Sequence, residues 1–562
     1  MNTANSTSVS PKMRREYFWP TLFLCVLFVL MVLTTLVKPD RVNEVVPLML
    51  IWPFALLVSE HQAPSLFASR KYVLFIVFVT YIPLMNTWPV RVVRDAALHV
   101  DMHGWTAFLQ PGFIALCALV VLFPPKLRRK NAFFIAAMCL WTLGGIISLG
   151  RTPYLGLGVE QLVTAVFMPI LTYLIFVNVP LAENEWRAVL SGFFVSALCP
   201  VVLGLMAYIK TFGVPVTAAS FMQNKLEMYL PGAMQTYTYG NVGHLAEYLL
   251  LTIIPALGLL VHRRQEPKAK WVAWPIFAAY ILSATVLAIL IQVRGLVITL
   301  LIGLILAGVY ELTQKRFLRA VPAFLVFAGI AASSLLLYGS FYRSLIPMPT
   351  TAHFAALATP PSVSVAAATV QAKPAKADPK PVSAREAAPA PANLADPSLK
   401  PTASKIDASR VGNPTVPESS RSSAGMGFKV NDPSAELRWD AIKQGIQILK
   451  RAWPLGIGIG AYATYDPRLT AAHSFAVQEI AETGIFGALF LIVLLTYIAV
   501  RFVLSWSRRS GGHWFALTCS AFLAYLCVFG GVFAIIGIAV WGVVFALWVA
   551  LLERGLFPGE MT

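Results

Sequence analysis

Charge is what this sequence has least of. Only 12% of its 562 residues are Asp, Glu, Lys or Arg, while 57% are hydrophobic; a typical soluble domain carries about 25% charged residues. That imbalance excludes an ordinary soluble globular protein. Acidic residues are scarcer still, 26 against 44 basic, for a net charge of +18. Several chemical signatures are missing as well. No Gly-x-x-x-x-Gly-Lys-Ser/Thr run is present, which excludes a P-loop ATPase. Neither an Asp-x-Asp pair nor a His-Glu-x-x-His helix occurs, so no metal site or nucleotide-sugar site is legible. The six cysteines (Cys25, Cys117, Cys139, Cys199, Cys519 and Cys527) contain no Cys-x-x-Cys pair and all fall in apolar stretches, where they read as packing residues.

What is present is hydrocarbon in blocks. Apolar runs of roughly 18 to 25 residues, the length that crosses about 30 Å of bilayer core, alternate with short polar segments. Spans are expected at 17–37, 45–59, 71–89, 105–123, 131–149, 157–180, 187–209, 242–261, 271–292, 295–311, 319–340, 474–504, 514–530 and 532–552. The fold class is therefore all-α and polytopic, with about 14 transmembrane helices and one long external loop. The first run exceeds a signal-peptide core and lacks a small-residue cleavage site, so it is read as the first membrane helix.

The basic residues would suit nucleic acid, but they concentrate in short loops such as "KLRRK", "HRRQEPKAK" and "QKRFLR". Such loops are a topology signal, and they place both termini in the cytoplasm. Residues 1–341 then hold helices 1–11, and residues 474–562 hold helices 12–14. Between them, 342–433 is an Ala/Pro-rich external linker whose composition cannot offset its ordering entropy. It reads as a disordered spacer or, alternatively, as a tether for the cell wall or a partner.

Residues 434–473 change the pattern. In "AELRWDAIKQGIQILKRAWPLGIGIGAY", Ala435, Trp439, Ile442, Ile446, Leu449 and Trp453 recur at helical spacing, which predicts an amphipathic helix on the membrane surface or the bundle mouth. Pro454 ends it, and a glycine-rich turn follows.

The candidate chemistry clusters near the external ends. Arg294 lies between two apolar spans, either as an interfacial arginine reaching headgroups or as a phosphate clamp whose planar donors match phosphate oxygens. His473 has a side chain that can take a proton from a hydroxyl near neutral pH, or it is structural. Glu479 and Glu482 follow on the same expected helix, too far along it to touch His473 directly.

Three stretches together, "RGLVITLLIGL", "RWDAIKQGIQILKRAWPLGIGIGAY" and "AHSFAVQEIAETGIFGALF", resemble the O-antigen ligase and polymerase superfamily of bacterial surface-glycan assembly. "YTYGNVGHLAEYLLLTIIPALGLL" is similar to that family's Gly-Asn entry into a preceding span. The ordered likeness covers roughly 235–500. It departs from the family at Gln292 and Val293, where many relatives carry a serine before the arginine, and at Ser474, where asparagine is commoner.

The resemblance implies a GT-C-like fold and a metal-independent, cofactor-free inverting glycosyltransferase in the bacterial cytoplasmic (inner) membrane, with its site facing the periplasm. The donor would be an undecaprenyl-pyrophosphate-linked glycan, and the acceptor lipid A core or a growing glycan, among membrane lipids and without nucleic acid. It assigns Arg294 and Arg438 to the donor pyrophosphate, His473 to deprotonation of the acceptor hydroxyl, and Tyr462, Glu482 and Glu479 to the acceptor site or its support. Ligation to lipid A core, polymerisation of repeat units and protein O-glycosylation all fit these residues. Outside that class stand a lipid-linked glycan flippase or transporter, and a scaffold that uses the linker to hold a partner.

Overall fold

The computed structural model describes residues 42–85, 108, 110–126, 132–153, 155–215, 217, 220, 224, 242–263, 273–291, 293–343, 433–462, 474–507, 512–528 and 540–554. At 42–50, 242, 262–263, 273, 294, 336–343 and 433–438 it describes the backbone alone. Among the described residues every regular element is helical. The helices are α1 (Val42–Gln62), α2 (Arg70–Tyr81), α3 (Pro111–Leu122), α4 (Ala132–Leu149), α5 (Leu155–Asn178), α6 (Glu183–Phe212), α7 (Val242–Arg263) and α8 (Ala273–Ile291). They continue as α9 (Arg294–Thr313), α10 (Phe317–Arg343), α11 (Pro433–Ala452), α12 (Phe475–Thr483), α13 (Ile485–Ser507), α14 (His513–Val528) and α15 (Val540–Arg554).

Eight of these helices, among the described residues, are long and apolar enough to cross a membrane: α4 to α10 and α13. The protein is thus a membrane-embedded helical bundle. Helices α3 and α14 are apolar but shorter. The expected first span at 17–37 lies outside the described residues, as do 344–432, which hold nearly all of the expected linker.

Local chemistry explains several boundaries. At the start of α6, Glu185 reaches back to accept the Ala182 N–H at 2.8 Å, which satisfies one of the orphan donors of a helix N-terminus. Gly213, with φ of 73°, ends the same helix where another residue would be strained. Helix α5 contains a π-helical stretch at Leu162–Phe167, a local widening that is frequent at functional sites.

Helix α7 is central, with its whole apolar window buried, whereas only 22% of the α10 window is buried. Helices α9 and α14 pack on α7, α15 packs on α5, and α4 packs on α13. Of the cysteines, Cys199 and Cys519 are buried in the core, as expected of packing residues. Cys117 and Cys139 instead face outward from the chain, the direction lipid would occupy.

Polar contacts gather at two ends of the bundle. At one end, the Arg554 guanidinium donates to the carbonyls of Val179 (2.6 Å) and Leu181 (3.2 Å) and lies over the Trp186 ring. Glu553 there pairs with Arg501 and accepts from the Tyr497 hydroxyl. His513 at the start of α14 meets Glu311 at the end of α9, 3.2 Å apart. The far end of α14 and the first residue of α9, Arg294, must then lie at the opposite end of the bundle.

One expectation is corrected. The run 474–504 is not a single membrane helix: it divides at Gly484, whose φ is 64°, into the nine-residue α12 and the span α13. Space makes the break necessary. A Cβ on Gly484 would lie 2.0 Å from the Pro454 carbonyl oxygen, and the N–H of Ile485 donates to that same oxygen at 2.8 Å.

Candidate functional site

The end of the bundle that carries Arg294 also carries the glycine-rich turn. After α11 the chain passes Pro454 and then Gly456 (φ 77°), Gly458 (φ 110°) and Gly460 (φ 74°), conformations that L side chains rarely adopt. The fit leaves no room for a side chain either. A Cβ at Gly456 would sit 2.3 Å from the Glu482 carbonyl oxygen, and one at Gly458 would sit 2.5 Å from the Thr152 nitrogen. The turn is therefore threaded between α12 on one side and the α4–α5 connection on the other.

Backbone bonds hold it on both sides. Ile457 and Gly458 donate to the carbonyls of Ala481 (2.9 Å) and Glu482 (3.0 Å). Opposite them, Ile459 N–H donates to the Ser148 hydroxyl at 3.2 Å, and Arg151 donates to the Gly456 carbonyl at 2.8 Å.

Glu482 is the centre of this assembly. Its carboxylate accepts from the backbone N–H of Gly460 (3.0 Å) and of Tyr462 (3.1 Å), and from the side-chain amides of Gln161 (3.3 Å) and Gln478 (3.3 Å). A buried carboxylate needs such donors to offset its desolvation. Four donors fill the usual capacity of a carboxylate, so Glu482 holds the loop and has no lone pair left for a substrate hydroxyl or a metal. Tyr462 is likewise committed: its hydroxyl donates to the Ala441 carbonyl at 2.7 Å, which ties the loop to α11.

Glu479 lies one turn before Glu482 and accepts from the Trp141 indole N–H at 2.9 Å. That indole stacks on Phe490 at 4.5 Å, with Phe475 at its edge. Helix α12 lies outside the membrane-spanning α13, yet both of its carboxylates are buried. Burial, then the charge of Glu482, pushes the Glu479 carboxyl above the usual carboxylate range against the Trp141 bond. Burial raises Glu482 too, opposed by the Gly460 and Tyr462 N–H groups and then by the Gln478 and Gln161 amides.

The structure brings Tyr462, Glu479 and Glu482 together. Arg294 is the first residue of α9 and Arg438 lies on α11 just before Trp439, both fixed by backbone alone. His473 lies outside the described residues. Its chain neighbour Ser474 caps α12 and donates to the Cys527 carbonyl at 3.1 Å, at the far end of α14. Arg294 and Ser474 thus share one end of the bundle.

Sequence reading missed Gln161, Gln478, Trp141, Ser148 and Arg151. For Gln161 a signal existed, since "GVEQLV" puts two polar residues side by side in an apolar run. The amphipathic helix expected on the membrane surface or the bundle mouth is present, and a different face of it packs on the protein. The face packed on the protein is Ala441, Gly445 and Ile448, whereas Trp439, Ile446 and Trp453 of the expected stripe are exposed. Small residues win that face because a Cβ at Gly445 would lie 2.3 Å from the Val477 side chain.

No family model, no curated protein and no solved structure matches this chain.

Proposed function

We propose that this protein is a membrane glycosyltransferase that moves an undecaprenyl-pyrophosphate-linked glycan onto an acceptor hydroxyl at the periplasmic face of a bacterial inner membrane, as an O-antigen ligase acting on lipid A core. The observation that supports this reading is the loop clamp. One buried carboxylate, Glu482, ties the Gly460–Tyr462 backbone to α12, the helix that begins just after His473, while Tyr462 ties the same loop to α11, the helix that carries Arg438. Arg438 is thereby carried by a helix tied to the loop, and the loop is tied to α12; His473 precedes Ser474 in the chain and lies outside the described residues. Arg294 shares that end of the bundle.

The chemistry asks for this kind of placement. The donor's lipid lies in the bilayer and its pyrophosphate at the interface, so the reacting groups belong at the mouth of the bundle. Arg294 and Arg438 bind the pyrophosphate and stabilise the charge that grows as it leaves. His473 accepts the acceptor's proton while the hydroxyl oxygen attacks the anomeric carbon with inversion. A GT-C-like arrangement of about 14 spans belongs to the same reading.

The test compares wild type, His473→Ala and Arg294→Ala in a strain lacking its own copy, with surface polysaccharide and carrier-linked glycan resolved on one gel. Loss of one electrostatic stabiliser lowers transfer by roughly a hundredfold or more. Long chains stranded on the carrier beside bare core support ligation, and single repeat units support polymerisation. Full transfer by either variant, with normal protein in the membrane, overturns the reading.

A further inference from the structure

Helix α11 has three sectors rather than two. With about 100° per residue, Ile448, Ala441, Ala452 and Gly445 share a sector of about 60°, and Ala441, Gly445 and Ile448 are buried against the protein. The next sector, about 80° wide, holds Leu449, Ile442, Trp453, Ile446 and Trp439. Leu449 and Ile442 at its inner edge are half-buried, and beyond them Trp453 at 52%, Ile446 at 40% and Trp439 at 58% are exposed. The remaining sector is polar, with exposed Lys450, Lys443, Gln447, Asp440 and Arg451. The two lysines stand at its border with the tryptophans.

A helix that only capped the bundle would need two sectors, one packed and one wet. The extra apolar sector is continuous with the membrane-facing side of α13. Pro454, just past the end of α11, accepts from Ile485 at the start of α13, and exposed apolar residues run from Trp453 and Leu455 to Ile485, Leu489 and Ile492.

We infer that α11 lies in the headgroup layer of the bilayer, with its Trp439–Ile446–Trp453 sector sunk to the acyl boundary and Lys443, Lys450 and Arg451 bound to phosphates of anionic phospholipid. Tryptophan favours that depth because its ring is apolar and its N–H polar. Lysine stems run along apolar surface to a charged head, and cations at that depth are attracted to an anionic lipid surface. Asp440 offsets one charge, since Lys443 bonds to it at 3.1 Å; Lys450 and Arg451 keep the net charge of the exposed polar face positive. This placement is independent of the glycosyl-transfer reading and would set the depth of Arg438 under any function.

The experiment uses full-length protein in lipid nanodiscs, its six native cysteines replaced, with one nitroxide introduced at a time through Trp439→Cys, Ile446→Cys, Trp453→Cys, Gln447→Cys or Arg451→Cys. Ile492→Cys on α13 reports correct insertion. Electron paramagnetic resonance power saturation compares access of oxygen with that of a water-soluble nickel chelate. Labels at 439, 446 and 453 are expected to favour oxygen several-fold over labels at 447 and 451. Nickel access at every α11 position overturns the inference, as does exclusion of both reagents from 439, 446 and 453, which would mean that protein covers the face. Replacing phosphatidylglycerol by phosphatidylcholine, or combining Lys443→Gln, Lys450→Gln and Arg451→Gln, is expected to lower the oxygen preference at 446 at least twofold. No change in either arm rejects the anionic-lipid contact.

Discussion

At the scale of single residues, Glu482 separates two roles that a buried carboxylate can play. A general base needs a lone pair facing substrate, and Glu482 has spent its oxygens on Gly460, Tyr462, Gln161 and Gln478. Glu482→Gln keeps the shape but turns an amide N–H toward one of those donors, which costs about 1–3 kcal/mol for the group left unsatisfied. The expected result is a lower Tm for the purified protein and freer proteolysis at the glycine turn. Unchanged values for both would mean that the clamp is not what holds the loop.

The paired carboxyls also carry a pH signature. Because burial raises both Glu479 and Glu482, the folded site binds protons more tightly than an unfolded chain. Its contribution to stability is full below the ordinary carboxylate range and falls as pH rises toward the raised values. Thermal melts across that window are expected to show a declining Tm for wild type and a flatter profile for Glu479→Gln. A Tm that rises with pH would contradict the assignment. The two carboxyls on one helix were legible in sequence, but their partners were not, since Gln161 and Glu482 are 321 positions apart and Trp141 and Glu479 are 338 apart. Sequence showed polar residues in apolar company, and only folding says which of them meet.

At the scale of elements, legibility followed periodicity. Helix α11 was expected from its 3.6-residue repeat and is present at Pro433–Ala452, but the repeat does not say whether oil faces protein or lipid. In water those are alternatives; at a membrane both sides accept apolar groups, and close approach then decides. Gly445 and Ala441 win the protein side because they are small. Gly445→Val is accordingly expected to push α11 off α12, and limited proteolysis around 433–452 should rise sharply. The break at Gly484 was only half legible: the chain turns from "FAVQEIAET" to an apolar run there, but the obstacle that forces the corner is a carbonyl thirty residues earlier, at Pro454. Gly484→Ala combines a strained φ with that collision and is expected to destabilise by at least about 1–3 kcal/mol, seen as a lower Tm. An unchanged melt would mean that the corner is soft.

At the scale of the whole molecule, the membrane class followed from composition alone, and the eight long apolar helices agree with it. The number of crossings was harder to read, because α3, α14 and α15 are short and α12 is not a span. The two polar ends give a check that hydropathy cannot. Arg554, Glu553 and the His513–Glu311 pair belong to one end, and the clamp belongs to the other. Alkaline phosphatase inserted in 350–430 is expected to be active in the periplasm, whereas an insertion at 314–316, between α9 and α10, is expected to be inactive. Equal activity at both sites would undo the assignment of sides.

The corner at Gly484 also bears on how the protein meets bilayers of different thickness. A span longer or shorter than the local hydrocarbon accommodates by tilting, and a continuous helix would carry that tilt straight into whatever its extension supports. Here the extension is a separate nine-residue piece, oriented by the glycine turn and by Trp141 as well as by the span. Yet the Ile485 N–H donates to the Pro454 carbonyl at that corner, and Trp141 bonds to Glu479 of α12 while it stacks on Phe490 of α13, so tilt in α13 carries the glycine turn with it. Function reconstituted in short-chain and long-chain lipids should therefore differ, and equal function across chain lengths would mean that the corner yields.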